Sequence, residues 1–188
     1  LQYVDTPGYS ALLLRKTFAD LALPGALMTR ANEWLRPTGT RFAANQHRWV
    51  FPSGATLTFG YLDTVGAEYR YQSSEFQFIG FDELTQFRES QYRYLFSRLR
   101  RLEGSNIPLR MRSASNPGGV GHEWVRARFV DKTEEDGDRM FVPATLADNP
   151  YLDAEGYVQS LQQLDPVTRQ QLLNGDWTAR QDGNLFKR

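Results

Sequence analysis

The chain contains no cysteine, which excludes disulfide frameworks and thiolate metal sites. It contains no apolar run of the roughly 20 residues that a membrane-spanning helix needs. Its 22 Lys and Arg balance its 22 Asp and Glu, so the formal net charge is zero. That argues against strong nonspecific binding of nucleic acid by the whole surface and leaves room for a local basic face. Only two histidines occur, His47 and His122. Neither has a ligand-spaced partner, so a histidine metal centre is not expected and both are read as ordinary hydrogen-bonding residues. No serine stands in a Gly-x-Ser-x-Gly setting, and a serine hydrolase is unsupported. There is no Gly-x-x-x-x-Gly-Lys-Ser/Thr loop, no Rossmann glycine spacing and no internal repeat. The first residue is not Met, and the start is expected to be a domain boundary.

What is present is a globular composition over 188 residues, enough for one generous domain or part of a larger protein. Its centre is Phe76-Gln77-Phe78-Ile79-Gly80-Phe81-Asp82-Glu83. An apolar run bounded by polar residues reads as a buried parallel strand, and this one ends in two adjacent carboxylates. A second buried strand, Ala11-Leu12-Leu13-Leu14, ends in Arg15-Lys16-Thr17. Between them lie a helix from about residue 19 or 24 to 35 and a β-hairpin over 47–51 and 55–60. The helix carries Leu23, Leu27, Ala31 and Trp34 on one face, and Pro24 favours a late start or a kink. The hairpin turns at Pro52-Ser53-Gly54. Residues 61–75 read as a polar loop.

After the acidic pair, a helix is expected over 89–102 with a stripe of Tyr92, Leu95, Phe96 and Leu99. Its Arg93, Arg98, Arg100 and Arg101 read as a solvated basic face. A strand over 109–116 leads into Pro117-Gly118-Gly119-Val120-Gly121, a turn that lacks the features of a phosphate-binding loop. A helix over 122–129 follows, packing through Trp124, Val125 and Phe129, then a polar loop over 131–138 and a last strand over 139–143. Two helices close the chain, over 153–164 and 166–174. Asp165-Pro166 caps the second and Gly175 ends it. Strands alternating with helices predict an α/β fold with a mostly parallel sheet.

Ligands of open α/β sheets bind beyond the carboxyl ends of the strands, which is where Asp82 and Glu83 stand. Such a pair can hold a magnesium ion and activate a water. The plainer alternative is an Asp that caps the next helix beside a solvated Glu. Ser113-Ala114-Ser115-Asn116 at a neighbouring strand tip is either a phosphate-sensing set of small polar side chains or simply a polar turn.

Taken together, five segments in order resemble the ATPase domain of the phage terminase large subunit. They are residues 12–21, Phe51-Pro52-Ser53-Gly54-Ala55, Ile79-Gly80-Phe81-Asp82-Glu83-Leu84-Thr85-Gln86-Phe87, Ser113-Ala114-Ser115-Asn116-Pro117-Gly118-Gly119 with His122 and Trp124, and Leu173-Asn174-Gly175-Asp176-Trp177. The resemblance implies a RecA-like, ASCE-type P-loop ATPase core with a β-hairpin insertion and a C-terminal helical segment over 144–177. Asp82 would help hold Mg²⁺ and Glu83 would activate water. Arg15 and Lys16 would lie near the ATP, and Ser113, Ser115 and Asn116 would couple phosphate state to movement. Arg70 is the candidate arginine finger.

The phosphate-binding loop is expected upstream of Leu1. Residues 178–188 would lead toward a nuclease domain beginning near 183–186. Residues 1–188 alone would therefore hydrolyse ATP poorly, and an open sheet edge would lower their stability. The implied partners are double-stranded phage DNA, the portal protein, the small terminase subunit and further copies in a ring, with no membrane. The implied place is the host bacterial cytoplasm, at the procapsid portal. Two other readings stay open: a helicase-like, nucleic-acid-stimulated ATPase, and an inactive prophage-remnant interaction domain.

Overall fold

A computed structural model describes residues 2–101, 103–131, 137 and 139–179. The expected nuclease boundary and almost all of the 178–188 linker lie outside the described residues, as do parts of the 131–138 loop. The chain divides into two compact units, Leu1–Ala114 and Ser115–Arg188. Among the described residues, no helix is long and apolar enough to cross a membrane.

The first unit is a six-stranded sheet in the order β2-β3-β4-β1-β5-β6. Its strands are β1 (Ser10–Arg15), β2 (Arg41–Ala43), β3 (Arg48–Val50), β4 (Thr56–Tyr61), β5 (Phe78–Asp82) and β6 (Arg110–Ala114). β4, β1, β5 and β6 run parallel, and β2 and β3 are antiparallel. The hairpin is built into the sheet: β4 pairs with β3 on one edge and with β1 on the other. β1 lies between β4 and β5, which is why its sequence is apolar without alternation.

One face of the sheet packs Ala11, Leu57, Phe59 and Phe78 against Leu21, Leu27, Met28, Ala31 and Leu35. These last come from α1 (Phe18–Ala22) and α2 (Leu27–Leu35). On the other face, the Phe81 ring meets Phe87 at 5.1 Å and Tyr92 at 5.2 Å. Tyr92 belongs to α3 (Glu89–Phe96).

Thr17 and Asp20 form a reciprocal cap that starts α1. The expected single helix is two because Pro24 forces Leu23 out of the helical region, to φ −58° and ψ 154°. Leu23 lies at the break and is exposed. Within α2, Leu27 and Ala31 face the core as expected, joined by Met28 and Leu35, while Trp34 at the edge of that stripe is exposed. Residues 67–71 of the expected loop form a short 3-10 turn.

α3 ends at Phe96, short of the expected 102. Residues 98–100 are drawn into sheet-like bonding with Phe76, whose N–H donates to Arg98 O at 2.9 Å and whose carbonyl accepts from Arg100 N–H at 3.0 Å. Arg98 is consequently buried, donating to Gln72 O and lying 5.6 Å from the Tyr94 ring. It is not part of a solvated face. Gln77 joins three segments nearby: its Oε1 accepts from Ser10 N–H and its Nε2 donates to Arg100 O, both at 2.7 Å.

In the second unit, α4 (His122–Val125) runs into a π turn over Arg126–Val130. α5 (Ala154–Leu161) and α6 (Pro166–Asn174) are capped by Asp153 and Asp165, and Gly175 closes α6 at φ 60°. The strand expected over 139–143 does not form. Its Met140 and Val142 are largely exposed, and residues 139–143 take no place in the sheet.

Candidate active site

Strand register alone assembles the carboxyl edge of the sheet. Arg15 stands opposite Tyr61 of β4, Leu14 opposite Phe81 of β5, and Asp82 opposite Ala114 of β6. Arg15 and Asp82 are thus neighbours across two parallel strands. Their side chains meet, with Arg15 Nε donating to Asp82 Oδ2 at 2.6 Å. Both are only partly exposed, at 22% and 27%, so the pair is less screened than a surface bridge. Asp82 Oδ1 has no protein partner among the described residues.

Glu83 follows in the left-handed region, at φ 57° and ψ 58°. For a residue with a Cβ this conformation costs about 1–2 kcal/mol. It lets the chain turn sharply from β5 into the 3-10 turn Leu84–Gln86, whose Leu84 and neighbouring Phe87 are buried. Burial, reinforced by the adjacent Asp82 carboxylate and opposed by Arg15, holds the Glu83 carboxyl above its usual range. A carboxyl raised in this way keeps more basicity when ionised, which suits a proton acceptor.

Lys16 turns away from the acids. Its Nζ donates to Leu62 O at 2.8 Å and lies 6.0 Å from the Phe87 ring. Gln91 of α3, itself buried, holds the same segment by donating to Leu62 O at 3.4 Å and Thr64 O at 2.9 Å. Tyr71 completes the clamp, its hydroxyl accepting from Tyr61 N–H at 3.2 Å. Burial pushes that hydroxyl up to about 12. Gly60 is required here, because a Cβ would stand 2.1 Å from Tyr71 Oη.

Arg70 lies on the β4 side of the edge. It pairs with Asp63 at 2.9 Å and stacks 4.7 Å from the Tyr61 ring. It does not touch Asp82 or Glu83. Ser113 stands in register with Phe81 on β6 and is exposed. Ser115 and Asn116 belong to the second unit, where Ser115 Oγ donates to Asn116 O at 3.1 Å.

The structure therefore brings together Arg15, Asp82 and Glu83, with Ser113 one strand away. Tyr61, Asp63, Tyr71 and Gln91 were missed by sequence reasoning. They act through contacts between distant segments and carry no local signal, except that Tyr61 continues the β4 alternation. Among the described residues, no group of three metal-ligating side chains occurs.

A family model described as "Terminase large subunit, T4likevirus-type, N-terminal" matches residues 28–188. The chain belongs to this terminase family. Three structures of the large terminase of a thermophilic bacteriophage are similar to it. One matches with a TM-score of 0.69 at 16% identity, covering 92% of this chain and 41% of that one. The complex with ADP gives 0.68 at 16% identity, with the same coverage. The complex with ATP-γ-S gives 0.67 at 17% identity, covering 91% and 40%. The chain thus spans about two fifths of the large terminase it matches. At this identity the likeness establishes the fold: the mostly parallel α/β sheet is that of the terminase RecA-like domain. Among curated proteins no match was found.

Proposed function

We propose that this chain is part of the ATP-hydrolysing core of a DNA-packaging motor. The observation that carries the proposal is the Asp82-Glu83 pair at the carboxyl end of buried β5, with Glu83 held in a strained backbone position. Strain kept at a strand end beside a desolvated acid is what a preorganised catalytic group costs. Membership of the terminase family supports the same reading.

In this reading Asp82 holds Mg²⁺. The donor set suits that ion, because magnesium in nucleotide sites takes one or two carboxylates and completes its shell with phosphates and water. Asp82 would offer Oδ1, which has no protein partner among the described residues, while Oδ2 is shared with Arg15. The ion that Asp82 would hold there would supply charge neutralisation for the phosphates of ATP. Glu83 accepts the proton of the attacking water. Arg15 balances the two adjacent carboxylates and keeps Asp82 oriented. Lys16, Gln91 and Tyr71 secure the segment after β4, which carries Asp63 and Arg70. Arg70 is the candidate arginine finger, and it would have to leave Asp63 to act on a neighbouring copy. Ser113, Ser115 and Asn116 would sense the γ-phosphate.

The whole motor would act on double-stranded phage DNA as a ring on the portal, with the small terminase subunit, in the bacterial host cytoplasm. No Gly-x-x-x-x-Gly-Lys-Ser/Thr loop occurs within residues 1–188, so the test uses a protein in which these residues follow such a loop. Glu83→Gln in that protein should lower ATP turnover by roughly 10²–10⁴-fold while nucleotide affinity changes little. Turnover within threefold of the parent would overturn the assignment.

A further inference from the structure

The turn that follows Ser115-Asn116 is tied to the closing segment of the second unit by one buried histidine. Gly118 and Gly119 adopt φ 104° and 77°, conformations that glycine enters freely. A loop so built would be slack if nothing held it. His122 holds it: its Nδ1 accepts from Gly118 N–H at 2.9 Å. An imidazole that accepts at Nδ1 carries its proton at Nε2. That Nε2 is buried and has no partner among the described residues. The hydrogen bond to Gly118 is therefore the polar contact that fixes the ring.

The same ring packs on Trp177, with centroids 5.4 Å apart and planes 30° from parallel. His122 and Trp177 are 8% and 7% exposed. Trp177 also meets the Phe141 ring at 6.2 Å, edge to face. Its segment is rigid for its own reasons. Asp176 Oδ1 accepts from Thr178 N–H at 2.7 Å and from Ala179 N–H at 3.2 Å, and Gln170 Nε2 donates to Asp176 Oδ2 at 2.6 Å. Gln171 donates to Ala179 O at 2.9 Å, and a side chain added at Gly118 would stand 3.0 Å from its Oε1.

We propose that His122 is a positioning residue that locks the Pro117–Gly121 turn to Trp177. A displacement of Ser115-Asn116 is then passed to the Asp176–Ala179 segment and is not absorbed by the two glycines. The proposal rests on the preceding reading for what displaces Ser115-Asn116. The mechanical link itself is independent of that reading.

The test needs only this chain, labelled with ¹⁵N, with the Trp177 indole N–H assigned through Trp177→Phe. Asn116→Ala should shift the Trp177 indole resonance in the parent chain. In His122→Ala the same substitution should leave it unmoved. Two further variants separate the contacts if the alanine variant folds poorly. His122→Asn keeps an acceptor for Gly118 but loses the ring, so Gly118 stays protected while the Trp177 response is lost. His122→Phe keeps the ring but loses the acceptor, and the Gly118 amide should exchange roughly tenfold faster. An Asn116→Ala shift at Trp177 that is absent in the parent, or that survives in both His122→Ala and His122→Asn, would overturn the proposal. None of these readouts depends on ATP hydrolysis, so they stand or fall apart from the Glu83 experiment.

Discussion

Leu12, Leu14 and Ile79 of the first unit are wholly removed from solvent, on strands each flanked by two others. The second unit is built differently. Its Val120, Met140, Val142 and Tyr151 are each more than 70% exposed. Its buried set includes Val125, Leu161, Trp177 and His122. What orders it locally is polar: Asp153 caps α5, Asp165 caps α6, Asp148 closes a turn on Thr145, and Asp176 closes the turn after α6. The contrast shows that the candidate acids stand on the apolar unit, where position is set by strand packing. The glycine turn and its histidine stand on the unit whose geometry is set by directional hydrogen bonds.

The largest expected effect tests the apolar side of that contrast. Leu12→Ala should destabilise the sheet by about 3 kcal/mol, from lost burial and the cavity left behind. It would be read as a lowered urea midpoint at unchanged slope. A loss below about 1 kcal/mol would mean that the strand is not packed as described.

Next comes the polar side. Asp165 accepts from Thr168 and Val167 N–H at 3.0 and 3.1 Å, and the Thr168 side chain, ahead of these backbone bonds, holds its carboxyl below the usual range. A lowered carboxyl stabilises the fold above the unfolded pKa near 3.8 and loses that contribution as pH falls through the folded value. Asp165→Ala should therefore speed amide exchange in the first turn of α6 roughly three- to tenfold near neutral pH, leaving β1 untouched. The difference should shrink in acid.

The smallest effect has the opposite sign. The Glu83 carboxyl is raised above its ordinary 4.5, chiefly by burial. Its contribution is favourable below that value and is lost as pH rises through the folded pKa. Glu83→Gln should thus raise the melting temperature modestly at neutral pH, with no gain at pH 4. A lower melting temperature at neutral pH would remove the argument that this carboxylate is held at a cost.

Local signals were read well wherever their physics is local. The strand over 10–15, the strand ending at Asp82, the hairpin turn and the cap, proline and glycine of α6 all lie close to where their residues imply. The misreadings have a common cause in distance along the chain. Arg98 looked like one of four solvated arginines until pairing with Phe76 pulled residues 98–100 inward. Residues 139–143 had strand-like character but pair with no strand among the described residues. Trp34 stands at one edge of the α2 stripe, and packing against the sheet took Met28 and Leu35 on the other side instead.

By itself, the sequence determined the identity and order of the chemical groups: an acid pair at the tip of an apolar strand, basic residues at the tip of another, and a glycine turn before a histidine. Apolar runs, caps and breakers act over a few residues, so composition settles them. Tertiary structure alone decided that Arg15 meets Asp82 across 67 residues, that Glu83 adopts a left-handed turn, that Lys16 faces Leu62 O, and that His122 stacks on Trp177. Those outcomes depend on strand register and packing, which are summed over the whole fold and are written in no single stretch of it.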